Sequence, residues 1–192
     1  MTGDPALLRV AARFAADYAA LSGVRAVVLG GSLAAGRDDG ASDIDLYVYA
    51  DPDPDITDRR RISAGGREIE IDNRYWETGD EWVDRATGMG IDVTYRTPGW
   101  VEAELDRVLD RHQASTGYTT AIWANVAAGV PLSDPSGWYG DLRRRAAAPY
   151  PEPLRAAIVA KNLPLLRAAR GDIRPDRGGV PGRSLMPIED PV

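Results

Sequence analysis

Two aspartates separated by a single residue, Asp43 and Asp45, begin the segment DIDLYVY at residues 43–49. Polar and apolar side chains alternate there, which predicts a β-strand with both carboxylates on one face, roughly 6.5 to 7 Å apart at the Cα atoms. Two carboxylates at that spacing repel each other unless a cation lies between them. Aspartate oxygens are ligands that Mg²⁺ prefers, usually together with substrate phosphates and water. Alone, the pair is more typical of a solvated polar face than of a metal site.

The turn upstream of the acids has the composition of a phosphate-binding turn. Gly30, Gly31 and Ser32 follow the apolar segment VRAVVL at residues 24–29, which predicts a short strand. The glycines let the backbone approach a ligand closely, and the serine offers both an amide and a hydroxyl. If a helical turn opens at Ser32, its free N–H groups add to an anion site. The sequence therefore predicts a phosphate site beside a divalent metal site, joined by a ten-residue loop.

Together, these residues resemble the signature of the polymerase-beta-like nucleotidyltransferase superfamily. That superfamily includes antibiotic nucleotidyltransferases and the small bacterial minimal nucleotidyltransferases. The matching segments are LGGS, which ends at Ser32, and SDIDLYV, which contains the two aspartates. The core of the resemblance covers about residues 24–96, and a related branch also has a helical C-terminal domain.

The resemblance implies a role for each matching residue. Asp43 and Asp45 would bind Mg²⁺ and orient a nucleoside triphosphate. Gly30, Gly31 and Ser32 would bind the nucleotide, with the last two at the β- and γ-phosphates. Two metal ions are implied, and ATP is the expected triphosphate.

The superfamily pattern also requires a third acid on a later strand, and two positions are candidates. Asp92 lies between Ile91 and Val93 in GIDVTYR, and the resemblance favours it, either as a ligand of a second metal or as the base that deprotonates the acceptor. The alternative is an acid in EIEID, where three carboxylates share one face: Glu68, Glu70 and Asp72.

The implied reaction is in-line attack by a substrate hydroxyl on the α-phosphorus, with release of pyrophosphate. The acceptor would be a small molecule or a protein. An alternative function is a catalytically weak or inactive nucleotide-binding, antitoxin-like module that acts through a protein partner. A metal-dependent glycosyltransferase would account for the Asp-x-Asp pair but leaves the Gly-Gly-Ser turn unexplained.

The order of predicted helices and strands indicates a small mixed sheet with flanking helices. This is an α/β (α+β) fold, followed by a short helical C-terminal region. The patterns predict helices at 5–22 and 56–62 and strands at 24–29, 43–49, 67–71 and 90–96. The polar stretch 72–90 is predicted as loop and turn, with a brief helix near GDEWVDRA. Several helical stripes follow residue 98.

Three parts are expected along the chain. Residues 1–98 would form the catalytic domain, and residues 99–170 a helical C-terminal domain, complete or shortened. Residues 171–192 contain four prolines and four glycines, a composition typical of a disordered tail.

Composition narrows the classes of partner. The 192 residues carry a net charge of −6, which disfavours nucleic acid and anionic membranes as partners. There is no cysteine, so disulfides and thiolate–zinc sites are excluded and a cytoplasmic location is expected. No apolar run approaches the roughly 18 residues of a membrane span. A protein partner or a homodimer stays open.

Overall fold

The fold is built on a mixed β-sheet, seen in a computed structural model that describes residues 5–34 and 43–172. The strands are β1 (Val24–Leu29), β2 (Ile44–Ala50), β3 (Gly66–Asn73), β4 (Gly79–Asp84), β5 (Gly90–Arg96) and β6 (Val130–Ser133). Their order across the described sheet is β3-β4-β5-β2-β1-β6. Strands β2 and β5 are parallel, and every other neighbouring pair is antiparallel. The predicted small mixed sheet with flanking helices is confirmed.

Helices cover both faces of this sheet. They are α1 (Pro5–Ala19), α2 (Gly31–Ala34), α3 (Ile56–Ser63), α4 (Pro98–Leu105), α5 (Ala121–Ala128), α6 (Trp138–Ala146) and α7 (Glu152–Asp172). A π-helical turn, Asp106–Asp110, continues α4. None of the described helices is long and apolar enough to cross a membrane.

Helix α1 packs on one face of the sheet. Its buried residues recur every three or four positions, the spacing of one helical stripe: Leu7, Val10, Ala11, Phe14, Ala15 and Tyr18. They meet alternate residues of the central strands, including Val27, Leu46 and Val93, in one apolar cluster. Burial of this stripe fixes β1, β2 and β5 beside one another.

The C-terminal helices pack on the opposite face. Ala26, Val28 and Tyr49 lie in one cluster with residues of α4 to α7, among them Trp138 and Tyr139. Further along the same face, β2 and β5 carry polar side chains that line an open cavity instead. The uncovered part of this face is where the predicted acids lie.

The prediction for residues 72–90 was wrong in part, because strand β4 occupies Gly79–Asp84 where a brief helix was expected. Asp80, Trp82 and Asp84 are buried, whereas Glu81 between them is exposed, so the segment alternates as a strand does. The sequence does not show the usual alternation of apolar and polar residues, because two of the buried positions of β4 are acids. Both are paired with arginines, Asp80 with Arg59 and Asp84 with Arg13.

The short strand β6 was not predicted at all. It has four residues, contains Pro131 and pairs with β1 at the edge of the described sheet. Proline has no backbone N–H to donate, and it is tolerated at a sheet edge because one side of an edge strand has no neighbouring strand to bond. The division of the chain at residue 98 stays a prediction, and residues 173–192 of the predicted disordered tail lie outside the described residues.

Candidate active site

The parallel pairing of β2 with β5 brings two of the predicted acids together. Asp45 is the register partner of Asp92, so the two side chains lie next to each other on one face. The antiparallel pairing of β5 with β4 sets Glu81 on the other side of Asp92, and Glu70 follows Glu81 on β3. Four carboxylates therefore form a row across four strands.

Asp43 lies next to this row of carboxylates, at the N-terminal end of β2. It stands immediately before Ile44, and its carboxylate lies directly over the backbone of Gly90, where a Cβ atom would overlap it. Gly90 opens β5, two residues before Asp92. The absence of a side chain at residue 90 lets the Asp43 carboxylate lie against β5.

The Gly-Gly-Ser turn packs against the acid strand. The Gly30 amide donates to the backbone oxygen of Asp45 at 2.8 Å. Gly31 has a φ of +60°, and a Cβ atom there would overlap the Asp45 carboxylate. Both the backbone conformation and the close approach require glycine. Helix α2 begins at this glycine with Ser32 half-buried in its single turn, so the predicted phosphate turn and the predicted metal ligands are in contact.

The carboxylates repel one another in the absence of a cation. Burial, and then the charge of Asp43, raise the pKa of Asp45. Burial raises the pKa of Asp92 to about 6, with further contributions from Asp45, Glu81 and Asp43. Among the described residues, no arginine or lysine forms an ion pair with Asp43, Asp45 or Asp92. The site concentrates negative charge that a bound cation would neutralise.

The chemistry of these donors fits a hard divalent cation. Carboxylate oxygens without a counter-charge are suitable ligands for Mg²⁺, which is often held by one or two carboxylates plus substrate phosphates. Within residues 5–34 and 43–172, no three Asp, Glu or His side chains are already gathered around a single metal position.

Two cavities meet at the row of acids. The larger, of about 460 Å³, extends from Asp45 and Asp92 past Thr94 to Arg96. The smaller, of about 280 Å³, lies towards Asp43. Both are lined by Glu81 and Asp92, so a ligand in either one would reach the same carboxylates.

The alternative acids on β3 lie farther from the paired aspartates. Asp72 forms ion pairs with Arg59 at 3.5 Å and with Arg74 at 3.0 Å. Glu68 is paired with the neighbouring Arg67 on the exposed end of the strand, although it lines the smaller cavity. Glu70 is separated from β2 by two intervening strands. Asp92 is the candidate that directly neighbours Asp45, and its role stays a proposal.

The sequence prediction missed the acid on β4. Glu81 lies beside Asp92 and accepts a hydrogen bond from Asn73 at 3.3 Å. The alternation in GDEWVD could have revealed it, since Trp82 marks the buried face and Glu81 must then lie on the other. The aromatic loop between β3 and β4 was also missed as part of the site, because a loop gives no periodic signal.

Comparison with known proteins agrees with this geometry. Residues 12–109 match the model of the nucleotidyltransferase domain family, and this match covers 98 of the 192 residues. The chain therefore belongs to the nucleotidyltransferase domain family, which confirms the predicted superfamily and enzyme class.

Among solved structures, the chain is similar to the Thermotoga maritima CCA-adding enzyme complexed with tRNA, with 15% identity and a TM-score of 0.42. The similarity covers 74% of this chain and 32% of that one, so the chain spans about a third of that enzyme. No protein with a curated description matches the sequence significantly.

Proposed function

We propose that this protein is a Mg²⁺-dependent nucleotidyltransferase that transfers a nucleoside monophosphate from a nucleoside triphosphate to a hydroxyl group. The acceptor would be a small molecule or a protein, and ATP the expected triphosphate. One observation supports the proposal most strongly: Gly31 packs against the Asp45 carboxylate, and Asp92 lies beside Asp45 in register. A phosphate turn and a carboxylate pair in contact are what metal-assisted transfer from a triphosphate requires.

Residues 30–32 would bind the leaving end of the triphosphate. The backbone amide of Gly31 and the amide and hydroxyl of Ser32 are donors for the β- and γ-phosphates. The positive φ of Gly31 would let this backbone come close to phosphate oxygens. The turn would thereby orient the α-phosphorus towards the neighbouring strand.

Asp43, Asp45 and Asp92 would hold Mg²⁺, which when bound neutralises phosphate charge and stabilises the attacking and leaving oxygens. In the reaction, a bond forms between the acceptor oxygen and the α-phosphorus. The bond from that phosphorus to the β-phosphate oxygen breaks, and pyrophosphate leaves with the electron pair. Asp92 would either complete this metal site or, where it does not bind a metal, take the proton of the hydroxyl.

Composition supports the rest of the proposal. The net charge of −6 favours a neutral or cationic acceptor over a nucleic acid. The lack of cysteine suits the reducing cytoplasm. A protein partner or a second copy of the chain stays open.

A transfer assay tests the proposal. The protein is incubated with Mg²⁺, each triphosphate labelled at the α-phosphorus, and panels of small hydroxyl compounds and proteins, beside the Asp43→Ala variant. We expect the label to move to an acceptor with equimolar release of pyrophosphate, and this activity to be lost in the variant. Activity unchanged in Asp43→Ala would contradict the metal role. Metal-dependent nucleotide binding without transfer to any acceptor would favour the antitoxin-like module instead.

A further inference from the structure

Two aromatic side chains stand exposed at the larger cavity. Tyr75 is 80% exposed and Trp76 is 93% exposed, and both line the cavity that contains Asp45 and Asp92. They lie in the loop between β3 and β4, residues 74–78. Large rings exposed side by side at a cavity are typical of a binding surface.

The loop that carries these rings is anchored on both sides. On the far side, Glu77 accepts hydrogen bonds from Arg96 at 2.7 and 3.2 Å, and the Thr78 oxygen accepts one from the Tyr95 amide at 2.9 Å. On the near side, Arg74 pairs with Asp72 at 3.0 Å. The segment that carries the two rings is therefore attached to the sheet at both ends, beside the cavity.

The cavity offers negative charge and no free cation among its described lining residues. Arg96 is the cation that lines it, and Arg96 is only 7% exposed, paired with Glu77 and packed over the ring of Tyr47 at 4.3 Å. Glu81, by contrast, is exposed and in no ion pair with any described residue. Asn73 and Thr94 add uncharged polar groups to the lining. The charged groups left without an ion pair there are carboxylates, so a cation is attracted both by them and by the ring faces.

The direction of the reaction places this cavity on the acceptor side, a step that rests on the proposed function. In an in-line displacement the attacking oxygen lies opposite the leaving oxygen. Pyrophosphate would leave towards residues 30–32, which follow β1 on one side of β2. The acceptor must then approach from the side of β5 and β4, where the larger cavity lies.

We propose that Tyr75, Trp76 and Glu81 form an acceptor subsite that selects a small hydroxyl compound carrying a positively charged amine. The ring faces of the two aromatics bind the ammonium group by cation–π attraction. Glu81 adds a carboxylate within the same cavity. The acceptor hydroxyl then lies towards Asp92, which borders the same space.

Matched probes that differ only in charge test the subsite without any nucleotide. Choline is compared with its neutral isostere 3,3-dimethylbutanol, and glucosamine with glucose, by NMR titration of the backbone amide signals of β4 and β5, which remain observable in variants that lack Trp76. We expect each cation to bind at least about tenfold more tightly than its neutral partner. Trp76→Ala should weaken binding of the cations by about 5- to 30-fold, with Trp76→Phe retaining most of it. Because Trp76 is exposed, the variant is expected to fold, which circular dichroism verifies.

Tyr118→Ala is the control, because Tyr118 is also 88% exposed but lines a different cavity beside α7. It should leave cation binding unchanged. Equal binding of charged and neutral probes, or unchanged cation binding in Trp76→Ala, would overturn the subsite. Binding of Mg²⁺–ATP is measured on the same samples. If the wild type does not bind Mg²⁺–ATP, the proposed function is refuted. If it binds Mg²⁺–ATP normally but does not discriminate between the charged and neutral probes, the subsite alone is refuted.

Discussion

At the scale of single residues, the paired aspartates are explained by what lies around them. Asp45 is in contact with Gly31 on one side and in register with Asp92 on the other. Without a cation, burial and then repulsion by the neighbouring carboxylates raise the pKa values of both carboxyls. Retaining it is understandable if a divalent cation binds there during function.

Replacement of Gly31 by alanine should disable the site more than it destabilises the fold. The new Cβ would overlap the Asp45 carboxylate at a backbone φ of +60°, so the carboxylate must turn away. We expect nucleotide binding to be lost and the free energy of unfolding to fall by about 1 to 3 kcal/mol. Calorimetric titration and urea denaturation measure the two effects. Gly99→Ala is the matched control, since nothing lies within 4 Å of a Cβ built there.

The raised pKa of Asp92 predicts a pH-dependent stability in the absence of metal. Its carboxyl has a pKa near 6 in the folded protein and near 3.8 when unfolded. Protonated Asp92 therefore favours the folded state below about pH 4, and this contribution is lost as the pH rises through 6. After allowance for its partial exposure, the loss amounts to about 1 to 2 kcal/mol.

The Asp92→Asn variant should lack this loss. In the presence of a chelator we expect it to be more stable than the wild type at pH 7.5 and similar to it at pH 4.5, measured by urea denaturation. Asp53→Asn, at an exposed acid between β2 and α3, should follow the wild-type pH dependence. A difference in stability between Asp92→Asn and the wild type that stays the same at pH 4.5 and 7.5 would contradict this assignment.

At the scale of elements, a buried ion pair sets the positions of α3, β4 and β5. Arg59 is 2% exposed, and its Nε and Nη2 donate to the fully buried Asp80 at 2.9 and 2.5 Å. The Tyr95 hydroxyl donates to the same carboxylate at 2.6 Å. Because Tyr95 and Asp92 share β5, this pair supports the strand that carries the third acid.

Removal of Arg59 should therefore destabilise the fold strongly. Arg59→Ala leaves the buried Asp80 charge unpaired, and we expect a loss of about 3 to 5 kcal/mol in the free energy of unfolding. Arg61→Ala in the same helix removes an exposed ion pair with Asp58 and should cost less than about 0.5 kcal/mol. Equal midpoints of the two variants in urea would show that the buried pair does not support β4.

Elements with regular patterns could be predicted from the sequence, and elements with interrupted patterns could not. Strands β1 and β5 were predicted with their observed bounds, because both are rich in apolar and β-branched residues and have glycine or proline at or near their ends. Strand β4 was missed because its buried positions include Asp80, whose partner Arg59 is 21 residues away. The candidate acids could be named from spacing, but the register that joins Asp45 to Asp92 depends on distant strands and is not encoded locally.

At the scale of the whole molecule, the sheet is shared by two apolar clusters. Trp82 belongs to the cluster beneath α1, whereas Trp123 and Trp138 belong to the cluster with the C-terminal helices. The Tyr49 ring lies 5.3 Å from that of Trp138, so β2 is packed directly against α6.

We therefore expect the sheet and the C-terminal helices to unfold together. Urea transitions followed by tryptophan fluorescence and by far-ultraviolet circular dichroism should coincide, as they do for cooperative domains. Two separated transitions would instead support an independent helical domain after residue 98.

The central claim is that the glycine turn and the aspartates form one metal–triphosphate site. The most direct measurement is calorimetric binding of an ATP analogue that cannot be cleaved between its α- and β-phosphates. We predict that binding requires Mg²⁺ and weakens by about tenfold or more in Asp45→Asn, with Asp53→Asn unchanged. Equal affinity with and without Mg²⁺, or in Asp45→Asn and the wild type, would contradict the claim.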